Sequence, residues 1–179
     1  MEIEIFVHGS MCFAYSGRCL ISAVQMGRVP NRGSCANDCR FEYTLYAGND
    51  EHGSLFRLEE EPGVGTYIFN SKDMNLASHI KEILDSGAVD SLKIEGRTES
   101  PYDAAVTAKA YKEAIDDYYE NKFDASKYQK ELHTTKNRGF TDAYLIHKPF
   151  EKLDSQNHNY ALSKGSFEVT GLVSEDEEH

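Results

Sequence analysis

Ile3-Glu4-Ile5-Phe6-Val7-His8 is the stretch on which the fold turns. It has almost no polar break, which is the pattern of a strand buried on both faces of a parallel sheet. Outward from it, Ser16 is a candidate cap for a short helix over 18–25, stopped by Gly27. A turn-rich run over 30–38 follows. Strands are then expected over 41–46 and 55–59, flanking a turn at 48–53. A short strand is predicted over 66–69. A helix is predicted over 74–86, capped by Ser71 or Asp73, with Leu76, Ile80, Ile83 and Leu84 on one face and Gly87 at its end. The next strand is 89–94. Pro101 opens a helix running to about residue 121, and 126–132 reads as another. Further strands are expected near Tyr144 and over 167–173. There is no internal repeat and no low-complexity linker.

Strand, helix, strand, helix with parallel strands suggests part of an α/β barrel. Three such strands cannot close a barrel that needs eight. The chain therefore reads as a piece that docks on a separate half, or else as a small open sheet covered by helices.

The composition is that of an ordinary globular domain, 40% hydrophobic and 27% charged over 179 residues. No apolar run approaches the roughly 20 residues needed to cross a bilayer. The start lacks the features of a secretory signal. A cytoplasmic protein is expected, with no membrane partner. The net charge of −11 counts against nucleic-acid binding by the piece as a whole. Arg18, Arg28, Arg32 and Arg40 face only Asp38 within residues 18–40, and could attract a carboxylate or phosphate, offset a thiolate centre, or face water. The tail Ser174-Glu-Asp-Glu-Glu-His179 is acidic and expected to be disordered.

All four cysteines, Cys12, Cys19, Cys35 and Cys39, fall within the first 39 residues, spaced C-x6-C-x15-C-x3-C. Four thiolates from one short segment suit an iron–sulfur cluster or a tetrahedral zinc. Zinc sites favour paired C-x2-4-C knuckles, which only Cys35 and Cys39 approach. Disulfides fit worst in a cytoplasmic chain long enough to bury a core. Four inert core cysteines so close together would be unusual.

The run Glu4-x-Phe6-x-x-Gly9-Ser10-Met11-Cys12-x4-Gly17-x-Cys19-x-Ile21-Ser22 closely resembles the signature of the collagenase-like peptidases, family thirty-two of the peptidases of unknown catalytic type. Asn31-Arg-Gly-Ser-Cys-Ala-Asn-Asp-Cys-Arg40, Tyr67-Ile-Phe-Asn-Ser-Lys-Asp73, Ser91-Leu-Lys-Ile-Glu-Gly-Arg97 and Asn137-Arg-Gly-Phe-Thr141 resemble further family blocks, as do Gln156-Asn157 and Tyr160. The likeness is greatest to the tRNA-hydroxylation branch. It implies oxygen-independent 5-hydroxylation of the tRNA wobble uridine, with prephenate as the associated small anionic metabolite. Sister branches act on ribosomal RNA or ubiquinone precursors.

The resemblance also implies a 4Fe-4S cluster on Cys12, Cys19, Cys35 and Cys39, with Cys35 and Cys39 the less secure pair. The fold it implies is α/β, the C-terminal half of a TIM-like (β/α) barrel, partnered by an N-terminal half. The expected division is a half-barrel over 1–125 with a cysteine-rich insertion at about 9–46, a small β-containing extension over 126–173, and the tail 174–179.

Active sites in barrels lie at the C-terminal strand ends. Here those ends would be His8-Gly-Ser10, Asn70-Ser-Lys-Asp73 and Glu95-Gly-Arg97. Lys93, Glu95 and Arg97 are the catalytic candidates. His8, Lys72, Asp73, Arg18 and Arg40 are the substrate-binding candidates. Each has a plain reading: His8 as a loop hydrogen-bonder, Ser71 and Asp73 as helix caps, Lys72 as a solvated side chain, and Glu95 with Arg97 as a bracing ion pair. Lys93 alternates with Glu95, so both are expected to point inward. Tyr111, Tyr118, Tyr119 and Tyr128 read as packing aromatics rather than base-stacking ones. Arg138-Gly-Phe-Thr141 suggests only a turn at Gly139. The alternatives to an RNA-modifying enzyme are a peptidase and a non-catalytic cluster-bearing subunit. No G-x-S-x-G or H-E-x-x-H supports the peptidase.

Overall fold

The computed structural model describes residues 1–12, 14, 18–49, 51, 53–58, 70–96, 99–148, 155, 157 and 165. Its strands are β1 Glu4–Ser10, β2 Tyr46–Asn49, β3 Ser54–Arg57, β4 Asp73–Asn75, β5 Ser91–Ile94 and β6 Phe140–Thr141. Its helices are α1 Ile21–Met26, α2 Ile80–Asp85, α3 Pro101–Tyr119 and α4 Ala125–Leu132. The fold is α/β. Four strands form a mixed sheet in the order β5-β1-β4-β6, unclosed among the described residues, and β2 with β3 makes a separate hairpin. No described helix is long and apolar enough to cross a membrane. The chain divides into two compact units, one built on Met1–Val7 and Leu76–Asn137, the other on His8–Asn75 and the segment from Arg138.

The first unit has the apolar core. Ser100 caps α3 by accepting from the Asp103 N–H at 3.2 Å, and Pro101 fills a first-turn position whose N–H has no helical acceptor. Asp103, Thr107, Ala110, Tyr111 and Ala114 recur every three or four residues and form the buried stripe. Asp124 caps α4, which buries Tyr128 and Leu132. Val7, Leu76, Ile80 and Ile83 complete the interior. At the sheet edge the Asp90 N–H donates to Ile3 O at 2.9 Å, and the Ile3 N–H donates to Asp90 Oδ2 at 2.7 Å.

The second unit corrects two expectations. The end of β1 pairs antiparallel with β4, in the register His8↔Asn75, Gly9↔Met74, Ser10↔Asp73. β4 runs parallel to β6. Residues 73–75 are thus a strand rather than the start of a helix, because neighbours on both sides satisfy their backbone groups. A 3₁₀ turn, Ala77–His79, follows, and only Ile80–Asp85 is α-helical. Asp73 therefore begins a strand that returns along β1; it does not end a parallel one. Gly9 sits at φ 121, a conformation open to glycine alone.

The predicted strand over 41–46 lies further on, as β2, whose pairing with β3 runs from Tyr46↔Arg57 to Asn49↔Ser54. The helix expected over 18–25 shrinks to α1, ended by Gly27 at φ 63. The strand expected near Tyr144 forms at Phe140–Thr141 instead. The Ser16 cap, the strands over 66–69 and 167–173, and the tail lie outside the described residues.

Candidate metal centre

The cysteine segment belongs to the second unit. Cys12 is two residues beyond β1 and exposed; its Sγ accepts from the Ala14 N–H at 3.4 Å. Cys19 is half-buried, just ahead of Leu20, the residue that caps α1. Cys35 is exposed, and its Sγ accepts from the Asn37 N–H at 3.3 Å. Cys39 is half-buried in the 3₁₀ turn Asp38–Arg40. All four are free thiols.

Two cross-links gather the segment. Arg40 Nη2 donates to Met11 O at 3.2 Å, tying the Cys39 turn to the residue before Cys12. The Ala36 N–H donates to Ser22 Oγ at 3.1 Å, and that hydroxyl lies 3.9 Å from Cys35 Sγ, which ties Cys35 to α1. Asn37 enters the Cys39 turn at φ 60, a left-handed conformation that asparagine tolerates. The Tyr43 hydroxyl closes the turn by donating to Asp38 O at 2.7 Å.

Burial pushes the Cys39 thiol up, the Arg40 guanidinium opposes this, and the Cys35 and Cys12 sulfurs add to the rise. Among the described residues, no three His, Cys, Asp or Glu side chains stand close enough for one metal ion. A cluster asks for a wider spacing, because its thiolates bind separate irons. A single zinc needs all its sulfurs about 2.3 Å from one point. Backbone N–H groups already directed at two sulfurs also suit cluster thiolates. Four cysteine sulfurs are the donor chemistry of an iron–sulfur cluster and also of a four-cysteine zinc site. Asp38, beside Cys39, is 1% exposed, and its Oδ2 has no hydrogen-bond partner among the described residues. A buried carboxylate without a donor is costly, so the polar groups of this turn are not all satisfied within those residues.

The other candidates separate. His8 is buried, its ring 5.5 Å from that of Phe140; burial lowers its pKa to about 4, leaving it neutral at pH 7. Asp73 is buried and ion-paired with Arg138. Lys72 is half-buried, and its N–H donates to Ser155 O at 2.9 Å. Arg18 is exposed, while Arg40 is committed to Met11. In the first unit, the Lys93 side chain is 49% exposed, pairs with Glu4 at 3.5 Å and lies 5.0 Å over the Phe6 ring. Glu95 is half-buried, and Arg97 lies outside the described residues. Sequence reasoning missed Ser10, Ser22 and Arg138 as working groups. The block around Arg138 was visible, but its partner Asp73 is 65 residues away, and nothing in one chain of letters joins them.

Residues 1–155 match the sequence profile described as Peptidase family U32. The chain belongs to that family. Its relatives include "tRNA hydroxylation protein P" of Helicobacter pylori (strain ATCC 700392 / 26695), 62% identical over 176 residues, covering 98% of this chain and 42% of that protein. The Escherichia coli (strain K12) protein of the same name is 39% identical over 201 residues, covering 91% of this chain and 44% of its own length. A Porphyromonas gingivalis protein named "Collagenase" is 33% identical over 167 residues, covering 92% of this chain and 43% of its own length. The chain spans less than half the length of these relatives. No solved structure matches it.

Proposed function

We propose that this chain is the cysteine-bearing part of a larger tRNA-hydroxylating protein, and that Cys12, Cys19, Cys35 and Cys39 ligate a 4Fe-4S cluster. The observation that carries the tRNA reading is the 62% identity, over nearly the whole chain, to a protein named for tRNA hydroxylation. The cluster reading is supported by the gathered Cys12, Cys35 and Cys39 and by the N–H groups directed at sulfur. Such a cluster supplies electron transfer or a seat for an oxygen-bearing species. The chain's own residues set its surroundings. Arg40 offsets thiolate charge, the Ala14 and Asn37 N–H groups donate to sulfur, and neutral His8 lies near the end of β1.

The substrate in this reading is the wobble uridine, with prephenate or a similar small anion. Arg18, Lys72, Lys93, Glu95 and Arg97 are the groups to test against it. We further propose that an N-terminal half completes a TIM-like barrel by covering the sheet face that carries Phe6. That side chain is 50% exposed, and a large apolar group at that exposure suits a later-covered surface. A cytoplasmic location accords with four reduced thiols.

The name "Collagenase" on a relative favours a peptidase reading, at 33% identity against 62%. Mass spectrometry of tRNA nucleosides separates the two. Cells lacking the full-length gene should lose 5-hydroxyuridine-derived nucleosides; a normal level removes the hydroxylation reading. Gelatin cleavage by the iron-free protein would favour the peptidase instead. For the cluster, anaerobically purified protein should show broad visible absorbance that disappears with Cys12→Ser.

A further inference from the structure

Arg138 is 6% exposed and Asp73 is 7% exposed, and the two form an ion pair. Arg138 also donates from Nε to Ser71 O at 3.2 Å and from Nη2 to Ser10 Oγ at 3.0 Å. Its own N–H donates to Asp73 Oδ2 at 3.0 Å, and its carbonyl accepts from Asn157 Nδ2 at 2.6 Å. The guanidinium is thus held on several sides, and one of its contacts reaches out to Ser10. Ser10 is the last residue of β1, paired in register with Asp73, and Cys12 follows after Met11. Met11 is gripped in turn by Arg40. A buried ion pair adds little net stability over apolar packing, while removing one partner leaves a costly unpaired charge.

We propose that Arg138 is a positioning residue for Cys12: through Ser10 it sets where the chain leaves the sheet, and so where that sulfur stands. This rests on the reading of Cys12 as a cluster ligand. It gives the Asn137–Thr141 block a purpose that no local turn explains.

The test uses the full-length protein. Ser10→Ala removes only the final link; Arg138→Lys keeps the charge and loses the fork. In iron-free protein, the alkylation rate of Cys12 by iodoacetamide is measured relative to Cys35 by mass spectrometry. Losing the Ser10 link moves the sulfur and should change that ratio by about threefold or more in both variants. In the iron-loaded protein, the EPR spectrum of the reduced cluster should change while iron per chain and far-UV circular dichroism do not. An unchanged alkylation ratio in folded Ser10→Ala overturns the proposal, whether or not Arg138→Lys folds. If the wild-type protein takes up no iron, the cluster reading fails separately, and the ratio still decides the positioning.

Discussion

The Tyr111 hydroxyl donates to the Val7 carbonyl at 2.7 Å, linking the middle of α3 to β1 across 104 residues of sequence. The same oxygen accepts from the Leu76 N–H at 3.1 Å. One side chain thus bonds two buried backbone groups that also bond each other at 2.9 Å, and burial pushes its own pKa upward, so it stays a neutral donor. Tyr111→Phe removes the hydroxyl but leaves the Leu76 N–H paired with the Val7 carbonyl. The expected cost is about 0.5–1.5 kcal/mol of unfolding free energy, read from urea titration. A midpoint equal to wild type would show that the hydroxyl adds nothing to the direct backbone bond.

The units differ in what fills them. Val7, Leu76, Ile80, Tyr111, Tyr128 and Leu132 are buried in the first. In the second, among the described residues, the one buried apolar side chain is Ala143; its interior is His8, Asn70, Ser71, Asp73, Asn75 and Arg138. A polar interior supplies little hydrophobic drive, so the proposed cluster would carry more of this unit's stability. In the proposed cluster-loaded state, chelating iron should speed amide exchange over residues 18–40 by about tenfold or more, with α3 unaffected. Equal protection in both segments after chelation would contradict this dependence.

His8 gives the second unit an acid sensitivity. Its pKa is lowered from 6.5 to about 4 by burial, so the unfolded chain binds the proton more readily than the folded one. The contribution to stability is complete above pH 6.5 and is lost as pH falls toward 4. Its ceiling is about 3 kcal/mol. Unfolding free energies at pH 7 and pH 4.5 should diverge more for wild type than for His8→Gln. Identical losses in the two proteins would place the acid sensitivity elsewhere.

The two long helices are legible in the residue order alone. Pro101 announces α3, residues 126–132 read as most of α4, and helical spacing points to Tyr111; the caps Ser100 and Asp124 and the buried stripe through Ala110 and Ala114 come from the structure. The cysteines are equally legible as a set. The helix predicted from residue 74 shows where that reading stops. Its apolar spacing is real from Leu76 onward, but residues 73–75 take their conformation from Gly9 and Thr141, far away in the chain. Asp73 likewise reads as a cap and turns out to be the counter-ion of Arg138.

By itself, then, the order of residues determined the family, the cysteine set, and those helices whose apolar spacing lies within a few positions along the chain. Tertiary structure alone decided that β4 runs antiparallel to β1, and that Arg138 grips Ser10 while Arg40 grips Met11. The reason is physical. Helix formation sums short-range terms along the chain, whereas strand direction and buried polar pairing depend on which distant segment arrives to accept the bond.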